Sequence, residues 1–114
     1  MKNLLQLSSL LVLLLFVSCN SNPKSVAQNF AENLAKGNTE KAKKYATEAT
    51  GSMIDMALKM GLSEHITPDF TYKAYKDSIV NNKAWVKLRD PKNPDAQIQV
   101  IYLINVDGKW LVQM

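Results

Sequence analysis

Between residues 22 and 61 the apolar positions recur with a helical period. Val26, Phe30 and Leu34 stand at i, i+4 and i+8, with Ala27, Ala31 and Ala35 beside them, which makes one apolar helix face. Asn22 suits the N-cap of that helix, and Pro23 suits its first turn, where a missing N–H is no loss. Gly37 is placed to end it as a C′ residue. Asn38 then caps an expected second helix, TEKAKKYATEA, residues 39–49, with Ala42, Tyr45, Ala46 and Ala49 on its apolar face. Glu40/Lys44 and Lys44/Glu48 form i,i+4 pairs on its outer face. Gly51-Ser52 is expected to break it. A shorter third helix, residues 53–60, carries Ile54, Ala57 and Leu58 and stops at Gly61. Residues 62–68 read as a connection.

Beyond residue 70 the period changes from helical to alternating. Residues 70–79 are rich in aromatic and β-branched types, and Asn81-Asn82 is a turn. Ala84, Val86 and Leu88 alternate with Trp85, Lys87 and Arg89, the pattern of a half-buried strand. Residues 90–95, DPKNPD, are a turn-rich loop. Residues 97–105 form a long strand, Asp107-Gly108 is a two-residue hairpin signal, and residues 110–114 are the returning strand. Helices first and an antiparallel meander second predict an α+β fold, with the helices packed on one face of a four-stranded antiparallel sheet.

The Asp107-Gly108 turn fixes which residues share a face. It sets Asn105 opposite Trp110, Leu103 opposite Val112 and Ile101 opposite Met114, and these form the core face. Val100, Tyr102, Ile104 and Leu111 then share the other face. A sheet face open to water alternates to polar residues, and this one does not. A contiguous apolar patch marks a contact. The expectation is a sheet-face interface, with a second copy or a protein partner. A register slipped by one residue, or a helix over this face, is the competing explanation.

The N-terminus has a different pattern. Met1-Lys2-Asn3 precedes an apolar stretch, uninterrupted over LLVLLLFV, residues 10–17. A bilayer-spanning helix needs about 20 apolar residues. This run has the length of a signal-peptide core instead. Ser18 and then Cys19, the only cysteine, follow it. The junction Phe16-Val17-Ser18-Cys19 resembles the lipobox of bacterial lipoproteins, with Phe16 where that pattern prefers Leu. The resemblance implies alkylation of the Cys19 thiol by a diacylglyceryl group, cleavage between Ser18 and Cys19, and acylation of the new amino group. Sulfur is the side-chain nucleophile suited to that first step near neutral pH. Two or more chains hold a protein on a bilayer where one does not. The expected organisation is residues 1–18 signal peptide, 19–23 lipidated cysteine and tether, and 24–114 the α+β domain. Asn20 is not the Asp that marks inner-membrane retention in lipoprotein sorting, so the expectation is an exported protein anchored in the outer membrane or cell envelope. An uncleaved anchor, an ordinary cleaved signal and a reactive thiol are the alternatives.

Composition narrows the function classes. The chain has 114 residues, 46% apolar and 21% charged, enough for one domain. Its net charge of +4 is mild and dispersed, which argues against nucleic acid and allows contact with anionic lipid. No zinc-type spacing and no Gly-rich phosphate loop is present, so no metal or cofactor is expected. The stretch KGNTEKAKKYAT followed by strands ending LINVDGKWLV resembles the nuclear-transport-factor-2-like (cystatin-like) superfamily, and most of all its small bacterial lipoproteins of unknown function. The resemblance covers residue 24 to the end. Four strands are fewer than the larger members have, so a shallow pocket or none is expected.

Isomerases and dehydratases of that superfamily use inward-facing Asp, His or Tyr. Here the inward positions Ala84, Val86, Leu88, Ile101, Leu103 and Val112 are apolar, and Asp90, Asp95, Asp107, Glu40 and Glu48 fall at turns and helix surfaces. The sole histidine, His65, sits in the connection, where it could meet Asp69 and Tyr72 at a cavity rim. No catalytic residue is assigned. Met53, Met56 and Met60 share a helix face, as core or pocket lining or as soft ligands for Cu(I). Lys36, Lys41, Lys43 and Lys44 make a solvated cluster that could lean on anionic headgroups. The expected function is a lipid-anchored envelope protein with a small non-catalytic binding domain. The alternatives are a small isomerase- or dehydratase-like enzyme and a structural subunit of an envelope assembly.

Overall fold

A computed structural model describes residues 22–61 and 66–114. The Ser18–Cys19 junction and His65 lie outside the described residues. The order is α1 (Pro23–Ala35), α2 (Thr39–Lys43), α3 (Glu48–Lys59), then β1 (Lys73–Val80), β2 (Lys83–Arg89), β3 (Gln99–Val106) and β4 (Lys109–Val112). The strands form one antiparallel sheet in the order β1-β2-β3-β4, an α+β meander.

The local signals set the ends of α1. Asn22 Oδ1 accepts the Ser25 N–H at 2.8 Å, and Pro23 opens the first turn. At the other end Gly37 has φ +82°. The Asn38 N–H reaches the Asn33 carbonyl at 2.8 Å and the Gly37 N–H reaches that of Leu34 at 3.2 Å, which closes a Schellman motif. The Asp107-Gly108 turn likewise takes positive φ at both residues, +53° and +83°. That is the two-residue hairpin geometry whose twist matches the strands.

The middle of the helical half departs from the expected layout. Residues 39–49 do not form one helix, and Gly51-Ser52 do not break one. Instead α2 ends at Lys43, and α3 runs straight through Gly51 and Ser52. Thr47 caps α3, its Oγ1 accepting the Thr50 N–H at 3.3 Å. The break comes from a tertiary partner. Ala46 makes a parallel bridge to Val112, with the Val112 N–H on the Tyr45 carbonyl at 2.8 Å and the Thr47 N–H on the Val112 carbonyl at 3.0 Å. Extended backbone at Ala46 covers the open edge of β4. The helical spacing from Lys44 to Glu48 is lost with it. Lys43 carries the ion pairs, to Asp55 at 3.0 Å and Glu40 at 3.2 Å.

The strand boundaries also shift, inward at the far ends and by one residue outward at the turns. β1 begins at Lys73 rather than residue 70, and β4 ends at Val112. The pairs Asn105↔Trp110 and Leu103↔Val112 stand as expected, whereas Ile101↔Met114 lies past the end of the ladder. The core lies between the helices and one sheet face. Val26, Ala27, Phe30 and Ala31 of α1 meet Ala84, Val86 and Leu88 of β2, Leu103 of β3 and Val112 of β4. Leu88, Leu103 and Val86 are fully buried, and burial of such a side chain contributes about 1.5–3 kcal/mol.

Candidate functional site

An apolar groove opens at one end of the domain, with a volume of about 1110 Å3. α1 supplies Phe30, Ala31 and Leu34 to one wall, and α3 supplies Met53, Ile54, Ala57 and Leu58. The segment before β1 adds Ile66, Phe70 and Tyr72, and Ile101 and Val112 form the floor from the sheet. The groove exists because β4 stops at Val112 while β3 continues to Gln99. That leaves the start of β3 paired with β2 but without a strand on its β4 side. Four strands led to the expectation that an enclosed pocket would be shallow or absent, and the space lined here is an open groove.

Among the polar groups of the lining, Tyr72, Asp90 and Gln113 bond within the protein. The Tyr72 hydroxyl donates to the Gln97 carbonyl at 3.2 Å, and its ring stacks on Phe70 with centroids 5.6 Å apart. Thr47 Oγ1 lies 2.8 Å from Gln113 Oε1, and the Met114 N–H donates to Thr50 Oγ1 at 2.9 Å. Thr50 is buried, and these contacts tie the sheet to the start of α3. Asp69 and Asp90 are the carboxylates of the lining among the described residues. Asp69 and Tyr72 both line the groove, and their expected meeting with His65 lies outside the described residues.

The groups with displaced titration lie elsewhere, on helix surfaces. The Glu32 carboxyl is held below its usual range, first by the hydrogen bond from Lys36 and then by that from Gln28. Lys43 is raised, first by its hydrogen bond to Asp55 and then by that to Glu40. Two of the four lysines in the expected solvated cluster, Lys36 and Lys43, are thus engaged in ion pairs. The methionine trio is not core. Met53, Met56 and Met60 are all exposed, and of the three only Met53 is part of the groove lining.

The sheet-face residues Val100, Tyr102, Ile104 and Leu111 do share the face away from the helices. Ile104 is opposite Leu111 and Lys83, and Tyr102 is opposite Trp85. Val100 is exposed, and the other three are half-buried. Trp85 belongs to this patch, its ring 5.6 Å from that of Tyr102. Its outward place in KAWVKLR was the available signal. The groove walls from Ile66 and Phe70 gave no such signal, because an irregular segment has no period to read.

No curated protein and no solved structure gives a significant match to this sequence. A family model does match, over residues 17–113. The chain therefore belongs to the family described as domain of unknown function DUF4878.

Proposed function

We propose that this chain is a lipid-anchored cell-envelope protein whose domain binds an apolar ligand, without catalysis, in the groove between α1, α3 and the start of β3. One observation carries the binding part. The groove is lined mainly by Phe30, Leu34, Ile54, Leu58, Phe70 and Ile101, while the Tyr72 hydroxyl is already bonded within the protein. Such a site favours an acyl or other hydrocarbon group over a polar substrate. Met53 at the wall adds an adaptable apolar contact. The anchor part rests on the Val17-Ser18-Cys19 junction, and the family match beginning at residue 17 takes that junction in. Helices over one face of a meander sheet also suit the nuclear-transport-factor-2-like relation.

The test is native mass spectrometry of protein extracted from membranes. It should report acyl mass on a chain beginning at Cys19, together with a retained apolar ligand. Ala57→Trp fills the groove from α3 and should release the ligand while leaving the acyl mass. Cys19→Ala should leave an uncleaved, unlabelled precursor. A Cys19→Ala chain processed and localised as before would sink the anchor reading. Ligand retained unchanged by Ala57→Trp would sink the groove.

A further inference from the structure

The face of the sheet away from the helices carries a second property besides its apolar patch. The ladder places Lys73 and Lys76 of β1, Lys83, Lys87 and Arg89 of β2, and Lys109 of β4 on it. All six are exposed. None of the described acids has its backbone register on this face, although Lys73, at the start of β1, also acts on Glu32 of α1. Glu32, Glu40, Glu48 and Asp55 are on the helices, Asp69, Asp90, Asp95 and Asp107 are in loops and turns, and Asp77 pairs with buried Val86 on the inward register. Among the described residues, six cations and no anion are thus sorted onto one sheet face. At its centre lie Trp85, Tyr102, Ile104 and Leu111.

We infer that this face is a docking surface for an anionic phospholipid bilayer. The inference rests on the lipid-anchor reading for its geometry, and its test separates the two. Trp and Tyr are the residue types that settle at the bilayer interface, with the ring among acyl ends and the polar tip among headgroups. Lysines around them meet anionic headgroups, and their aliphatic stems lie along the apolar patch. Charge disfavours a second copy as the occupant, because a face-to-face dimer would set six cations against six. The tether supplies the remaining condition. From Cys19 to Asn22 an extended chain spans roughly 11 Å. An anchor at Cys19 therefore holds α1 close to the lipid, and docking of the sheet becomes an intramolecular event that weak attraction can drive.

The sheet carries its own reporter. Of the two tryptophans, Trp85 is 38% exposed on this face and Trp110 is buried. The mature protein is reconstituted into vesicles of brominated phosphatidylcholine, alone or mixed in equal parts with brominated phosphatidylglycerol. Quenching and a blue shift of emission are expected only with phosphatidylglycerol. Both should be lost in Trp85→Phe, and lost at about 1 M salt, where screening acts within about 3 Å. Lys83→Gln with Lys87→Gln should reduce quenching to the phosphatidylcholine level. Lys24→Gln with Lys59→Gln, an equal charge change on the helices, should not. An acylated protein with unquenched Trp85 in the anionic vesicles overturns the proposal and leaves the anchor standing. Equal quenching in both vesicles, or a dimer or acidic protein partner that shields Trp85 in its place, also overturns it. A chain without acyl mass defeats the anchor reading alone. The same protein added to preformed vesicles then decides the face by the same Trp85 criteria.

Discussion

At the start of β1 the amide of Gln28 takes the place of a neighbouring strand. Its Nε2 donates to the Tyr72 carbonyl at 3.0 Å, and its Oε1 accepts the Ala74 N–H at 2.6 Å. One side chain on α1 thereby satisfies two backbone groups at the sheet edge and fixes the wall of the groove beside Phe70 and Tyr72. Gln28→Ala should destabilise the domain by about 1–3 kcal/mol, because two half-buried backbone groups lose their partner. Gln28→Glu should be no milder, since a carboxylate cannot donate to the Tyr72 carbonyl. Urea unfolding of the three proteins measures this, and an unchanged midpoint in Gln28→Ala would overturn it. Residues of this kind explain where sequence reading stops. Asn22, Gly37 and Asp107-Gly108 were legible because each acts on the backbone beside it. Gln28 acts on residues 44 positions away, and nothing in its local pattern distinguishes it from a solvated helix residue.

At the scale of elements, local propensity and tertiary pairing gave different answers in one place. Residues 39–49 have a continuous helical pattern, but the open edge of β4 draws Ala46 into extended pairing, and the helix is divided there. The ladder could be read because Asp107-Gly108 fixes β3 against β4 and period-two alternation fixes β2. The division could not, because the competing hydrogen bonds come from Val112 at the far end of the chain. The consequence for Gly51 is testable. It lies inside α3 rather than at a break, and its φ is not positive. A Cβ there would meet Lys43 Cδ at 3.6 Å, an ordinary contact with a flexible side chain. Gly51→Ala should therefore stabilise the domain by about 0.5–1 kcal/mol through helix propensity. Thermal unfolding checks the sign. A lower Tm would mean that Gly51 is needed for the approach of α3 to α2.

For the molecule as a whole, Val112 is one place where the two halves of the chain are joined, through both its side chain and its backbone. Its side chain is buried between α1 and the sheet, opposite Leu103. Its N–H and carbonyl bond the Tyr45 carbonyl and Thr47 N–H on either side of Ala46. The side chain also forms part of the groove floor, so the residue that joins the layers also shapes the site. Two substitutions separate these roles. Val112→Ala keeps the backbone bonds and removes buried methyl groups, at about 2–3 kcal/mol with the cavity term included. Val112→Pro removes the donor to Tyr45 as well, and leaves that carbonyl without its partner. If the bridge holds the helical half against the sheet, the proline variant should be less stable than the alanine variant by a further 1–3 kcal/mol or so. Hydrogen exchange gives the sharper reading. In Val112→Pro, protection should fall in α2 and α3 more than in β2, because α1 still packs on the sheet through Phe30 and Val26. Uniform loss of protection in both halves would mean that Val112 contributes only core volume. Selective loss would show that the Ala46 pairing holds α2 and α3 to the sheet beyond the volume of the Val112 side chain.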